Sequence, residues 1–351
     1  MNSIKSYIIQ YGIKTLLAFI IIEIIFCFSL YNKPTPNKKQ LHKNNNNDTN
    51  ISNLFIDNYG LSLGQKMDDY KTKKFVIFGR KECPNCGLFS FYVVFIGCIH
   101  KYLSEGYIPI VDLQFYDNIY NKGDRTIPNP WELFFHQPFN YTLEEVKKFA
   151  SDKKYVECKQ TFHRPDELKI FYQKDSMSYW HNFQEKYMPI RNEIIQVAKI
   201  NMKKFFNDSK NVLGVLIRGT DYIKDKPKYH SIPPTVEQVI SDVKEMEQKY
   251  HYDYIYFTSE DEDIKKKFIP EFKDKVRYLN PKMTLRYINE SISDVKEQLK
   301  EFHENVKVYL INIVILSKCL DIIVCRCSGS AGVFILTNGF RYSKAYNLGY
   351  Y

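Results

Sequence analysis

The sequence predicts an α/β protein with two parallel, doubly wound sheets, and three observations predict it. Short apolar runs, such as FVIFG at 75–79 and DIIVC at 321–325, end abruptly at turns. Runs of this kind read as strands buried on both faces, which is the environment of a parallel sheet. Stretches of helical length follow them, so strand and helix alternate from Lys74 and again from Val212. An aromatic-rich middle with irregular patterning separates the two halves. At 351 residues, with 44% hydrophobic residues, the chain can hold one large domain or two ordinary ones.

Residues 1–12 are a short tail. Residues 13–31, IKTLLAFIIIEIIFCFSLY, have nearly the length and apolarity of a transmembrane helix, with Glu23 as their one carboxylate. No small-residue cleavage site follows, so the stretch reads as an uncleaved signal anchor. Lys5 and Lys14 precede it, whereas Lys33, Lys38, Lys39 and Lys43 follow it. A strict positive-inside count therefore keeps the C-terminal part in the cytoplasm, and orientation stays open. Residues 32–70, with Pro34, Pro36, the run Asn44–Asn47 and sequons at Asn47 and Asn50, read as a disordered stem.

The globular part opens with a strand at 75–79, a turn, a long apolar helix ending at Gly106, and a strand at 107–113 with Asp112 near its end. That is a βαβ unit. The Asn85-Cys86-Gly87 turn sits where a helix N-terminus offers free N–H groups to a ligand. Residues 114–210 read as irregular, with Trp131, Phe134, Phe135 and His136 either packed in the core or forming a platform for a sugar. Arg191 to Phe206 reads as an amphipathic helix. The second half gives strands at 213–217, 253–258, 275–279 and 321–325, helices at 236–250 and 293–318, and a Ser/Gly turn before a helix beginning near Val333. The last twelve residues pack back.

The formal charge of +10 is spread along the chain, which suits anionic substrates or a membrane surface. No nucleic-acid-binding motif is present, and neither GxGxxG nor GxxxxGK[ST] occurs, which argues against dinucleotide and P-loop ATP binding. Eight cysteines leave the compartment open. Cys27, Cys98, Cys319 and Cys325 lie in apolar runs, as free cysteines acting as small hydrophobes do. Cys83 and Cys86 form a lone CxxC without the second pair that a zinc site needs, so no metal site is expected.

Three strand ends of the second half carry the chemistry. They are Arg218-Gly219-Thr220-Asp221, Thr258-Ser259-Glu260-Asp261, and Cys327-Ser328-Gly329-Ser330. In a parallel sheet these tips share one edge, and ligands sit outside the carboxyl ends of strands. An Arg, a helix N-terminus with hydroxyls, and carboxylates on one edge suit a diphosphate carrying a ribose or base.

These motifs resemble the fucosyltransferase-like glycosyltransferases of the GT-B type, which include α1,6-fucosyltransferases, nodulation-factor fucosyltransferases and protein O-fucosyltransferases. The matching stretches are Leu216-Ile217-Arg218, Phe257-Thr258-Ser259-Glu260-Asp261 and LSKCLDIIVCRCSGS at 316–330. The NCG, PWE-x-x-F, RGTDY and SGS-x-G stretches look closest to a bacterial-type branch associated with surface polysaccharides.

The resemblance covers 75–351. It implies a GT-B-like fold with two Rossmann-like domains, an acceptor-side domain at 71–205 and a nucleotide-sugar-binding domain at 206–351. It implies an inverting, metal-independent transferase using GDP-fucose, with no cofactor and a glycan or glycoconjugate acceptor. Arg218 would bind the β-phosphate, with Gly219, Thr220, Thr258, Glu260, Asp261, Asn312, Ser328, Gly329 and Ser330 around the donor. For a general base, which such a reaction needs, the residues themselves offer Asp221 first, with Glu260 and Asp112 behind it, and Asn85, Gly87, Asp112, Trp131 and His230 are the candidates to face the acceptor. Leu216 stands where the family has His, and Asn312 where it has an acid. A non-catalytic GDP-sugar- or glycan-binding protein is the alternative. The anchor implies a single-pass membrane protein, of Golgi or ER type in a eukaryote and otherwise cytoplasmic or viral membrane-associated.

Overall fold

Nearly continuous apolar runs become two sheets in which every pairing is parallel. The first contains β1 (Lys74–Gly79), β2 (Ile108–Val111) and β3 (Asp152–Glu157) in the order β2-β1-β3. The second contains β4 (Val212–Leu216), β5 (Tyr254–Thr258), β6 (Val276–Arg277), β7 (Asp321–Cys325) and β8 (Tyr342–Tyr346) in the order β6-β5-β4-β7-β8. The structure is a computed structural model describing Lys66 and residues 73–159, 165–219, 221–279 and 295–351. The 13–31 span and nearly all of the 32–70 stem lie outside the described residues. Among the described residues no helix is long and apolar enough to cross a membrane.

The helices are α1 (Leu88–Ser104), α2 (Leu143–Phe149), α3 (Glu167–Tyr172), α4 (Lys174–Tyr187), α5 (Asn192–Phe206), α6 (Asp221–Lys224), α7 (Val236–Tyr250), α8 (Glu262–Phe272), α9 (Val295–Leu316) and α10 (Ser328–Leu336). Thr142 and Thr235 start α2 and α7 with reciprocal capping boxes, to Glu145 and Gln238. Residues 55–351 form one compact unit, and its core runs without a break from β1 and α1 to β4, β7, α9 and α10. The opposite face of the second sheet is filled by Val239 and Val243 of α7 and Phe268 of α8 against Leu213, Val215, Ile255 and Phe257. Helices α1 and α10 meet so closely that a Cβ on Gly332 would collide with the Phe89 ring.

Four readings change. The middle is not wholly irregular, because β3, DKKYVE, pairs along its length with β1. It is an edge strand with charged, partly exposed side chains, so it carries no apolar run to read. The last residues likewise include a strand, β8, beside β7. Helix α10 begins at Ser328, so Ser328, Gly329 and Ser330 are its first turn rather than a loop before it. Cys98 is not a free hydrophobe. It pairs with Cys158, and Cys83 pairs with Cys86, so the CxxC is closed as a disulfide.

The segment that follows β2 is pinned to it by two buried amides, Asn129 and Gln137. The Gln137 side chain accepts from Val111 N–H at 2.9 Å and donates to Val111 C=O at 2.7 Å, imitating the strand that β2 lacks on that side. Asn129 donates to the same carbonyl at 2.8 Å and accepts from Leu113 N–H at 3.0 Å. Groups of this kind cannot be left unpaired when buried.

Candidate active site

Strand β4 lies at the centre of the second sheet, flanked by β5 and β7, so the three strand ends read from the sequence are neighbours. Arg218 follows β4 by two residues. Its N–H donates to the Cys325 sulfur at 2.9 Å, tying the β4 tip to β7. Its guanidinium lies 3.3 Å from Glu260 Oε1 and 5.2 Å from the Tyr222 ring centre. The same Glu260 oxygen accepts from Gly219 N–H at 2.8 Å. A Cβ on Gly219 would come within 2.5 Å of Asp261, so only glycine lets the two tips approach this closely.

The other predicted donor-side residues divide into those at this edge and those engaged elsewhere. Asp261 caps α8, accepting from Asp263 N–H at 2.9 Å and Ile264 N–H at 3.2 Å. Asn312 is fully buried on α9. Its carbonyl accepts from Tyr256 at 2.7 Å and Thr258 at 3.1 Å, and its amide donates to Val308 C=O at 2.9 Å. Thr258 and Asn312 thus tie β5 to α9. Ser330 is buried and serves the α10 cap, accepting from Cys327 N–H at 2.9 Å and donating to Cys327 C=O at 2.8 Å. Ser328 and Gly329 carry the first N–H groups of α10, which have no partner within the helix. Thr220 and the Asp221 side chain lie outside the described residues.

The acceptor-side residues do not form one cluster. Asn85 and Gly87 are exposed on the loop between β1 and α1. Asp112 is buried at the end of β2. It accepts from Gln114 N–H at 2.7 Å and Phe115 N–H at 3.0 Å, and lies 3.4 Å from Lys147 Nζ, so it shapes its own turn. Trp131 is fully buried, stacked on Phe135 at 4.4 Å, and offers no face to a sugar. His230 is exposed and packs edge-on against Tyr222 at 5.3 Å, which brings it toward Arg218.

Tyr309 escaped the sequence reading, and Cys327, named there as part of a strand end, was given no role. Tyr309 of α9 reaches the first turn of α10, three residues before Asn312, and that helical spacing is the signal that could have found it. Cys327, the N-cap of α10, is partly buried and accepts from Ser330 N–H at 3.4 Å. The hydrogen bond from Cys325, then the Arg218 charge and the Ser330 bonds, outweigh burial and bring its thiol down to about 7. Burial, followed by the bond to Cys327, pushes the Cys325 thiol well up. The lowered pKa favours a thiolate at Cys327, whose charge would stand beside Arg218 as pH rises. Cys325 and the Tyr309 phenol are the other ionisable groups facing it, and Glu260 acts on both of these. The affinity of Arg218 for an anion of constant charge is expected to fall on the order of tenfold as pH rises through this range, the effect of roughly 1.4 kcal/mol of repulsion. Titration calorimetry from pH 6 to 8.5 checks this, and Cys327→Ser is expected to flatten the profile.

No protein-family model matches the chain, and no curated protein matches it significantly. Solved structures do. Fucosyltransferase NodZ from Bradyrhizobium overlays with a TM-score of 0.44 at 12% identity, covering 76% of this chain and 94% of that one. NodZ alpha-1,6-fucosyltransferase soaked with GDP-fucose gives 0.45 at 12%, covering 76% and 93%. POFUT1 in complex with GDP-fucose gives 0.45 at 10%, covering 80% and 99%.

Proposed function

We propose that the chain is an inverting glycosyltransferase that moves fucose from GDP-fucose to a hydroxyl of a glycan or glycoconjugate. One observation carries the reading. The guanidinium of Arg218 stands at the carboxyl edge of a parallel sheet, its charge felt by Cys327 at the N-cap of α10. A fork of donors beside a helix N-terminus is suited to a diphosphate. The motif resemblance in the sequence supplies the choice of guanosine and fucose.

In this reading residues 206–351 hold the donor and residues 71–205 face the acceptor. As the anomeric C–O bond breaks, negative charge grows on the β-phosphate. Arg218 and the N–H groups of Ser328 and Gly329 meet that charge, so no step is routed through a metal ion. The acceptor hydroxyl attacks from the opposite face and gives its proton to a general base, for which Asp221 is the first candidate.

Membrane attachment through residues 13–31 belongs to the same proposal. Disulfides Cys83–Cys86 and Cys98–Cys158 favour an oxidising compartment, which argues, against the lysine count, for a globular part outside the cytoplasm. The second reading, a binding protein that keeps the fold, is favoured by Asn312, whose amide is spent inside the protein at the position where the family has an acid.

A thermal-shift series with GDP, UDP, CMP and their sugars tests the proposal. At a hundredfold excess over Kd, GDP and GDP-fucose are expected to raise the melting temperature by about 5 °C. Release of GDP from GDP-fucose on addition of acceptor separates the enzyme from the binding protein. No response to either guanosine ligand overturns the reading.

A further inference from the structure

Helix α9 runs beneath the second sheet, and Tyr309 leaves it at the level of the first turn of α10. A Cβ on Gly329 would collide with the Tyr309 hydroxyl, so the glycine makes room for the phenol at the helix N-terminus. The ring is held from the other side by Phe89 of α1, edge-to-face at 5.7 Å. The phenol thus sits where the helices of the two sheets meet. The charged groups it feels are those of the proposed donor edge, namely Cys327, Arg218 and Glu260, with Tyr222 beside them.

The neighbouring polar groups are occupied. Ser330 serves the α10 cap, Thr258 and Asn312 bind each other, and Asp261 caps α8. The Tyr309 hydroxyl makes no hydrogen bond to any described residue. Tyr309 is only partly buried, so its hydroxyl stays open to a ligand, and a ring packed against Phe89 has little freedom to turn it elsewhere. Burial, reinforced by the nearby thiol, pushes its pKa well up, so it remains a neutral O–H donor at neutral pH.

We propose that Tyr309 is a substrate-binding residue whose hydroxyl donates a hydrogen bond to the same diphosphate that Arg218 clamps. This rests on the donor reading above and adds to it a residue outside the three strand-end motifs. The phenol adds no charge and keeps its proton throughout. It gives direction to the phosphate oxygen, which Arg218 alone holds mainly by charge. Gly329 belongs to the same device, because any side chain there displaces the hydroxyl.

Tyr309→Phe keeps the ring and its contact with Phe89 and removes only the oxygen. The variant is expected to melt within about 2 °C of the parent, since the lost group has no hydrogen-bond partner among the described residues. Its Kd for GDP is expected to rise on the order of tenfold to a hundredfold, as for a hydrogen bond to a charged acceptor, and its kcat/KM for transfer to fall likewise. Binding of guanosine, which lacks phosphate, should not change, and that contrast separates a phosphate contact from a general loosening of the site. Inorganic pyrophosphate is a second probe that does not depend on the base.

If Tyr309→Phe binds GDP and pyrophosphate as the parent does while Arg218→Ala loses both, the role of Tyr309 is overturned and the functional reading stands. Equal losses for guanosine and GDP also overturn it, because the phenol would then be structural. Pyrophosphate binding that weakens in Tyr309→Phe without any guanosine preference keeps the phosphate contact and overturns the GDP donor. A parent protein that binds neither GDP nor pyrophosphate overturns both.

Discussion

Arg218→Ala is expected to lower kcat/KM for sugar transfer by about 10³ and to weaken GDP binding in parallel. Removal of one preorganised donor at a developing negative charge typically costs about 10²–10³, and a guanidinium supplies both charge and a fork of donors. The fold should survive. The Arg218 side chain is half-buried, its backbone bond to Cys325 is kept, and Glu260 retains the Gly219 N–H as a partner. Arg218→Lys keeps the charge but not the planar fork, and should recover only part of the loss. Steady-state kinetics with GDP-fucose, together with GDP calorimetry, provide the check. A variant within twofold of the parent in both would remove Arg218 from the donor site. The loss should appear in kcat as well as KM, since the charge that Arg218 meets is greatest at the transition state.

Loss of the Cys98–Cys158 disulfide is expected to destabilise the protein by about 4 kcal/mol, the chain-entropy value for a loop of roughly 60 residues. The two sulfurs are buried and join the middle of α1 to the residue after β3, with a sequence separation of 60. Edge strand β3 depends on that staple more than the other strands do. Its own side chains are mostly half-exposed, so little apolar burial holds it against β1. A Cys98→Ala, Cys158→Ala double variant avoids buried hydroxyls and should melt on the order of 8 °C lower than the parent. The Cys83–Cys86 pair, three residues apart, closes a far shorter loop and should matter much less. Differential scanning calorimetry with and without reductant reads both effects. Unchanged melting in reductant would show that the staple is absent or idle, and would remove the argument for an oxidising compartment.

Much of the second half was legible because parallel strands buried on both faces are written as apolar runs. LGVLIRG, YIYFTSE and DIIVCRC each announce a strand and the point where it stops. Parallel pairing then puts their chemical residues on one edge, so Arg218, Glu260 and Ser328 could be gathered before any contact was known. The elements that stayed hidden are those whose burial comes from neighbours rather than pattern. Strand β3 is polar because it lies at an edge, and β8 lies in a short aromatic tail. Trp131 could not be told from a surface platform, because an aromatic side chain reads alike in a core and at a sugar site.

What the sequence determined by itself is the order of the apolar strands with the helices between them and the placing of Arg218 at a strand end, because local periodicity and turn chemistry encode both. The tertiary structure decided the rest. It joined Cys98 to Cys158, spent Asn312 and Asp261 on internal hydrogen bonds, and closed Gly219 against Asp261. It brought the Tyr309 hydroxyl over Gly329 and the Cys327 thiol beside Arg218. Apart from the local Asp261 cap, these are contacts between residues distant in the chain, fixed by how the strands and helices pack, and no local pattern records them.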